Sequence, residues 1–292
     1  RPSTDIEAFS RLLQSSTRVL ALCGAGLSAA SGLDTFRGAG GMWKRYRATD
    51  LATPEAFDED PGRVWLFYSY RRHRALQAKP NAAHHALAEL ARKMEGFVCL
   101  TQNVDGLHQR TNHPSSQLKL LHGSLFDVKC WNESCNYYES NNFTDPIVPS
   151  LAVTENTATD LETPEVRIPE PELPPCPQCK SLLRPAVVWF GEALPTKTLG
   201  EIDDFMRQGP IDLIMVIGTA ATVYPAAGYV AQAKAKGARV AVVNLDAGDL
   251  GAAGGRKGSG LGEEDFLFVG DAAEIVPQMV KGVVGEVKIA EA

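Results

Sequence analysis

The stretch Arg18-Val-Leu-Ala-Leu-Cys23-Gly24-Ala25-Gly26-Leu-Ser28-Ala-Ala-Ser31-Gly32 sets how the rest of the chain is read. Residues 18–22 read as a short apolar strand. A glycine turn follows at once and opens into a helix. Dinucleotide-binding folds cradle a phosphate with this order of parts. Gly24 and Gly26 let backbone come close, and N–H groups at the helix start face the anion. The full G-x-G-x-x-G spacing is not reached, because Ala29 takes the third position. Glycine turns between a strand and a helix also occur for purely structural reasons, so this stretch alone leaves both readings open.

Working outward, further apolar runs at 96–101, 186–189, 213–217, 239–244 and 265–269 read as strands. Helical stretches such as 82–93 and 224–236 lie between several of them. Such alternation predicts an α/β fold: a Rossmann-like parallel sheet with helices on both faces. Ligands of these sheets sit beyond the carboxyl ends of the strands. Ser28, Gln102, Asn103, Asp105, Gly218, Thr219, Asn244 and Asp246 all fall at such ends. Residues 61–77 read as a helix rich in aromatics and arginine, within a smaller lobe. The expected division is a large domain from 1–40, 81–126 and 184–292, a helical insert at 41–80, and a cysteine module at 127–183. Seven glycines between 248 and 262 read as a flexible surface loop, with a phosphate loop as the alternative.

The cysteines divide by setting. Cys23 and Cys99 lie at or near the end of apolar strand-like runs and read as buried small hydrophobes. Cys130 and Cys135 have four residues between them, Cys176 and Cys179 have two, and 40 residues (136–175) separate the pairs. Two close pairs joined by a loop suit a tetrahedral four-thiolate zinc site. Two disulfides or free thiols are the alternative. Four thiolates leave no open position, so a zinc ion there is structural. It would order a polar, acidic, proline-rich segment that has little else to fold around.

The net charge of −6 argues against general affinity for nucleic acid or anionic membrane. The longest charge-free run, 213–233, is interrupted by Gly218, Thr219, Thr222, Pro225 and Gly228. It reads as strand, loop and helix rather than as a membrane span. The sequence opens on Arg1 rather than Met and is expected to be a trimmed form. A targeting segment upstream would then be out of view.

Seven blocks, taken in order, resemble the sirtuin family. They are Gly24-Ala-Gly26-x-Ser28-x-x-Ser31-Gly32-x-x-x-Phe36-Arg37-Gly38; Thr101-Gln102-Asn103-Val104-Asp105-Gly106-Leu107-His108; Leu121-His122-Gly123-Ser124; the two cysteine pairs; Pro185-x-Val-Val188-Trp189-Phe190-Gly191-Glu192; Gly218-Thr219; and Asn244-x-Asp246. They run from about Val19 to about Ala272. The resemblance implies cleavage of NAD coupled to removal of an acyl group from lysine. The amide oxygen attacks the ribose carbon bearing nicotinamide, and the products are nicotinamide, 2′-O-acyl-ADP-ribose and free lysine. It makes His122 the general base, a role that suits an imidazole near neutral pH. It gives Asn103 and Asp105 the nicotinamide carboxamide, and Gln102 the nicotinamide ribose. The pyrophosphate falls to Gly24, Ala25, Gly26 and Thr219, and the adenosine ribose to Asn244. Ser28, Gly218, Asp246 and Ala272 complete the expected cofactor set. Phe36 and Arg37 belong to a loop that closes over the cofactor. Val188, Trp189 and Phe190 pair with an extended substrate peptide by strand addition, an aromatic covering the lysine stem. The family has serine where this chain has Ala220, which implies a modest change in NAD affinity. His108 is expected to cap or pack, and His84 to be structural.

Tyr68 and Arg71, three apart on the expected helix, share a face. A phenol beside a guanidinium makes a carboxylate receptor. The alternative is that Tyr68 packs and Arg71 forms a surface ion pair. The pair resembles the Tyr-x-x-Arg of class III sirtuins, the sirtuin-5 type, which prefer succinyl, malonyl and glutaryl lysine over acetyl. Ala52 matches a small residue that widens that acyl pocket, and residues 38–43 also look like class III. The same resemblance implies a mitochondrial location with a cytosolic or nuclear pool, acylated lysine proteins as partners, and a monomer. Competing readings are an NAD-dependent ADP-ribosyltransferase, a general lysine deacetylase, and a non-catalytic NAD sensor or acyl-lysine reader. A dehydrogenase is disfavoured, since nothing resembles a hydride-transfer substrate domain.

Overall fold

The structure is a computed structural model that describes residues 1–35, 42–154, 167–220, 226–246 and 261–287. Eleven strands are described: β1 Val19–Cys23, β2 Met42–Trp43, β3 Tyr46–Arg47, β4 Phe97–Thr101, β5 Leu118–Leu120, β6 Gly123–Cys130, β7 Tyr138–Glu139, β8 Leu183–Val187, β9 Leu213–Ile217, β10 Arg239–Asn244 and β11 Phe266–Val269. Six of them form one sheet in the order β11-β10-β9-β1-β4-β5, parallel throughout. β1, β4 and β9 are buried at every position, as expected of parallel strands covered on both faces. Alternate residues serve opposite layers. Val19, Ala21 and Cys23 join Phe97 and Cys99 in the core under helices Ile6–Ser15, Ala82–Lys93 and Ala272–Val284. Leu20 and Leu22 face the other core, with Ile202 and Met206 of helix Thr196–Arg207 and Val230 and Ala233 of helix Gly228–Ala235.

The chain leaves β1 towards β4 and β5, then returns to the other side of β1 as β9, β10 and β11. The order reverses between β1 and β9, which opens a crevice at the carboxyl ends of these two strands. A third core lies under helix Pro61–Gln77. There Trp65, Phe67 and Tyr68 pack with Leu125, Val128, Leu183 and Trp189, beside the cysteine region.

Two expectations are revised and one strand was missed. The run 186–189 does not belong to the parallel sheet: β8 pairs antiparallel with β6 in a separate three-stranded sheet, and Trp189 lies past its end. Pro185 is tolerated because β8 is an edge strand. The helix expected over 224–236 is described as Gly228–Ala235, with residues 224 and 225 outside the described residues. It stops at Gly237, which takes a positive φ of 95° past the cap. Short β5, with too few residues to show a pattern, went unread in the sequence. The glycine-rich run at 248–260 also lies outside the described residues.

Candidate active site and metal centre

The turn after β1 and the turn after β9 interlock. Gly26 N–H donates to the Gly218 carbonyl at 2.8 Å. A Cβ on Gly24 would stand 2.5 Å from Thr219 Cβ, and one on Gly218 (φ +63°) 2.3 Å from the Leu27 nitrogen. Gly26 and Gly218 are needed where two backbones meet, and Gly24 where its α-carbon meets the Thr219 side chain. The N–H groups of Gly24, Gly26, Leu27 and Ser28 bond to Ile217, Gly218, Gly24 and Ala25 respectively. Ala25, which lines the cavity, keeps an N–H outside this set of bonds.

A cavity of about 770 Å³ opens over the crevice. It is lined by Ala25, Gly26, Ser28, Ala52, Tyr68, Arg71, Gln102, Asn103, Asp105, His122, Val188, Trp189, Phe190, Gly218, Thr219, Ala220, Asn244 and Asp246, with Asp34, Leu125 and Leu245 among others. Gly24 lies just behind the wall, its carbonyl accepting from Asn103 Nδ2 at 3.0 Å. Ala272 sits apart, in the first turn of the last helix and buried in the core. Phe36 and Arg37 lie outside the described residues.

The polar floor is held from beneath. The Asn81 N–H donates to His84 Nδ1 at 3.2 Å, as part of a capping box on helix Ala82–Lys93. His84 Nε2 therefore carries the proton and points at Ser28 Oγ, 3.4 Å away. Ser28 Oγ in turn donates to Asp105 Oδ2 at 2.7 Å, and Leu107 N–H reaches Asp105 Oδ1 at 2.9 Å. Burial, with repulsion from His85 and Arg110, pushes the His84 pKa down to about 3 and keeps that ring neutral. Asn103 spends its amide nitrogen on Gly24 and Ser28, so an acceptor oxygen is what it offers a ligand. Asp105, 8% exposed, is a fixed acceptor beside it.

His122 follows β5. Its Nδ1 lies 3.0 Å from the Gln102 carbonyl, so Nδ1 bears the hydrogen and Nε2 is left as the basic atom. Burial lowers its pKa below the ordinary value, and the Gln102 carbonyl offsets part of that shift. The ring is thus neutral and able to accept a proton near pH 7. The Gln102 side chain accepts from Thr219 Oγ1 at 3.0 Å, which ties the end of β4 to the end of β9.

The far end of the cavity is aromatic. Tyr68 is 1% exposed, and its hydroxyl accepts from Trp189 Nε1 at 2.9 Å. Its own proton remains available to donate. Burial pushes the phenol up to about 12, so it stays protonated despite Arg71 nearby. Arg71 lines the same cavity, one turn on along the helix and close to Phe67 (5.6 Å to the ring). Trp189 is seated by a pair missing from the expected site residues. The Arg184 guanidinium lies 3.4 Å over its ring centroid, and Glu192 bonds both Arg184 and the Trp189 N–H. Burial raises the Glu192 pKa, but Arg184 and the Trp189 N–H outweigh it and hold the carboxyl below its ordinary value. A buried Arg with a Glu eight residues on is a signal the sequence carries, though without a period to mark it.

One expectation about this segment needs correction. The N–H groups of Val188, Trp189 and Phe190 are already bonded, to the His122 carbonyl (2.9 Å), Glu192 Oε2 (2.8 Å) and the Ala52 carbonyl (2.9 Å). A peptide strand added here must use carbonyl oxygens of this segment. Trp189 is a buried wall and Phe190, 47% exposed, is the rim.

The four cysteines of the small module converge, with all four Sγ atoms within 4.8 Å of one another. Cys130 to Cys179 is 3.4 Å and Cys135 to Cys176 is 3.8 Å. Thiolates around tetrahedral zinc at ~2.3 Å stand roughly 3.8 Å apart, whereas a disulfide needs ~2.05 Å. The cluster fits structural zinc, which these four residues would hold, and leaves no open position for chemistry.

Taken together, the parallel sheet, its interlocked glycine turns and a cleft that suits a dinucleotide define an NAD-handling enzyme fold with a four-cysteine module. Residues 24–225 match the Sir2 family, and the chain belongs to it. It is 44% identical to an NAD-dependent protein deacylase of Candida albicans, over 97% of this chain and 99% of that protein. It is 42% identical to NAD-dependent protein deacylase sirtuin-5, mitochondrial, of Xenopus tropicalis, over 84% of this chain and 79% of that one. A crystal structure of a Sir2 homolog–NAD complex superposes with a TM-score of 0.76 at 35% identity, covering 97% of this chain and 96% of the other.

Proposed function

We propose that this chain is an NAD-dependent protein-lysine deacylase that prefers acidic acyl groups: succinyl, malonyl and glutaryl. One observation carries the reading. A neutral, anchored imidazole and a phenol–guanidinium pair line one cavity. NAD supplies a ribose carbon with a good leaving group and a neighbouring hydroxyl. The residues divide the remaining work. Asn103 and Asp105 present an acceptor pair to the nicotinamide carboxamide, and Ala25, Gly26, Gly218 and Thr219 line the phosphate path. Asn244 and Asp246 take the adenosine end. Ala220, buried beside Thr219, offers no hydroxyl there. His122 takes the ribose hydroxyl proton at Nε2. The substrate lysine enters past Phe190 and Val188, its stem against Trp189 and its acyl tail beside Ala52. Tyr68 donates its phenolic proton to the tail's carboxylate, and Arg71 supplies the opposite charge. Acetyl-lysine lacks that carboxylate and is the poorer substrate.

We read the chain as one NAD-binding domain (1–40, 81–126, 184–292), a helical insert (41–80) and a zinc module (127–183), acting as a monomer on acylated proteins. The mitochondrial names of the sirtuin-5 relatives favour that compartment, and a cytosolic or nuclear pool is part of the same reading. No helix among the described residues is long and apolar enough to cross a membrane. Mass spectrometry after incubation with NAD and a succinyl-lysine peptide tests the chemistry. Succinyl-ADP-ribose with free lysine supports deacylation. ADP-ribose attached to protein would mean transferase chemistry, and unchanged NAD would mean a sensor.

A further inference from the structure

Behind the cavity floor lies a second cluster of metal-binding side chains that the proposed reaction does not use. Cys23, Cys99 and His108 each place a ligand atom within 4.8 Å of the others, and all three are buried. Cys23 and Cys99 are 0% exposed and His108 1%. Both ring nitrogens of His108 lack a hydrogen-bond partner among the described residues. That is a poor state for a buried imidazole, which carries at least one N–H and one lone pair. His113, also buried, lies beside Cys99. Its Nδ1 faces the Pro114 carbonyl at 3.2 Å, and its Nε2 has no partner. Two thiols and the unsatisfied His108 imidazole therefore converge at one point inside an otherwise apolar core, with His113 next to Cys99 at the edge of the cluster. His84 closes the far side but is already engaged by Asn81 and Ser28.

A Cys23–Cys99 disulfide explains the cluster less well. In the strand register Ala21, not Cys23, stands opposite Cys99. The two cysteines are thus offset by two residues, about 6.6 Å along the strands and ~4.8 Å across. That exceeds the ~7 Å Cα separation a disulfide spans without backbone movement. Their side chains lean toward each other to 3.8 Å, a separation that suits two ligands sharing an ion.

We propose that Cys23, Cys99 and His108, completed by His113, form a second metal site for a thiophilic closed-shell cation of the zinc type. Two thiolates balance a divalent charge inside the core, and the imidazoles gain the partner they lack. Binding requires both thiols to lose their protons and both rings to be neutral, so the ion enters as the chain folds. Cys23 directly precedes Gly24, and His108 closes the loop that carries Asp105. The ion would pin the end of β1, the middle of β4 and that loop to one another, underneath the cofactor end of the cavity. The site stands independently of the proposed acyl preference.

The test is cadmium-113 NMR on the full chain produced in medium supplied with that ion. The expected spectrum has two resonances: one from the all-thiolate Cys130–Cys135–Cys176–Cys179 centre, and one upfield of it from mixed sulfur and nitrogen ligands. Cys99→Val, which removes the thiol and leaves an apolar side chain, should remove the second and leave the first. A wild-type spectrum with the all-thiolate resonance alone would overturn the proposal. So would a mixed-ligand resonance that survives Cys99→Val. Should that variant fail to fold, the wild-type spectrum still decides, and zinc counting on protein made in zinc medium gives a second measure. Two equivalents per chain are expected, and one would refute the site.

Discussion

His122 matters through which of its nitrogens is free. The Gln102 carbonyl fixes the hydrogen on Nδ1, so the basic atom is Nε2. His122→Ala should abolish nicotinamide release while NAD still binds, as read by a release assay beside calorimetric titration. Retained turnover would remove His122 as the base. Burial lowers its pKa, so the base form predominates at neutral pH. The acid limb of the kcat/KM profile should therefore bend below the ordinary 6.5, and a bend above that value would contradict the assigned environment. In the proposed reading Arg71 carries selectivity rather than chemistry. A charge-assisted hydrogen bond contributes about 1.5–3 kcal/mol. Arg71→Met should thus raise KM for succinyl-lysine roughly 10- to 150-fold, with little change for acetyl-lysine.

Among the elements, the turns at the sheet's switch point carry the tightest constraint. Gly218→Ala must push against the Leu27 backbone at a positive φ, and should cost about 1–3 kcal/mol or more in urea unfolding. Gly200→Ala meets nothing within 4 Å on helix Thr196–Arg207, and should be stabilising by about 0.5–1 kcal/mol. The Arg184–Glu192 pair makes a parallel case. Glu192→Gln leaves a guanidinium 4% exposed without its counter-charge, at a cost of up to about 3–5 kcal/mol. Because the folded-state Glu192 pKa is depressed, this support is complete above the ordinary carboxylate range and fades as pH falls through the folded value. Cys176→Ser should lower the melting temperature by loosening the module, and unchanged melting would argue against structural zinc.

Long periodic elements were legible in the sequence. Helix Pro61–Gln77 and strand Leu213–Ile217 were read to the residue, the first from a long stretch rich in aromatics and arginine and the second from a short apolar run bounded by Asp212 and Gly218. The four-cysteine cluster was legible from spacing. The partner of β8 was not, since an apolar run does not say which sheet receives it. Nor was the His84–Ser28–Asp105 chain, whose members are 56 and 77 residues apart along two of its bonds.

At the scale of the whole molecule, one cavity is lined both by loops of the parallel sheet and by residues of the 41–80 segment, which the proposed function makes the cofactor end and the acyl end. Ala52 and Tyr68 come from the insert, while His122 and Asp105 come from the sheet's loops. Selectivity for the tail and chemistry at the ribose are therefore separable by mutation while sharing one bound substrate. The decisive measurement is the ratio of kcat/KM for succinyl-lysine over acetyl-lysine peptides with NAD, taken for wild type and Arg71→Met. A ratio of at least about 10 in wild type, falling toward 1 in the variant, is the predicted result. Equal or better use of acetyl-lysine by the wild type, or a ratio unmoved by the substitution, would contradict a carboxylate receptor in this cavity.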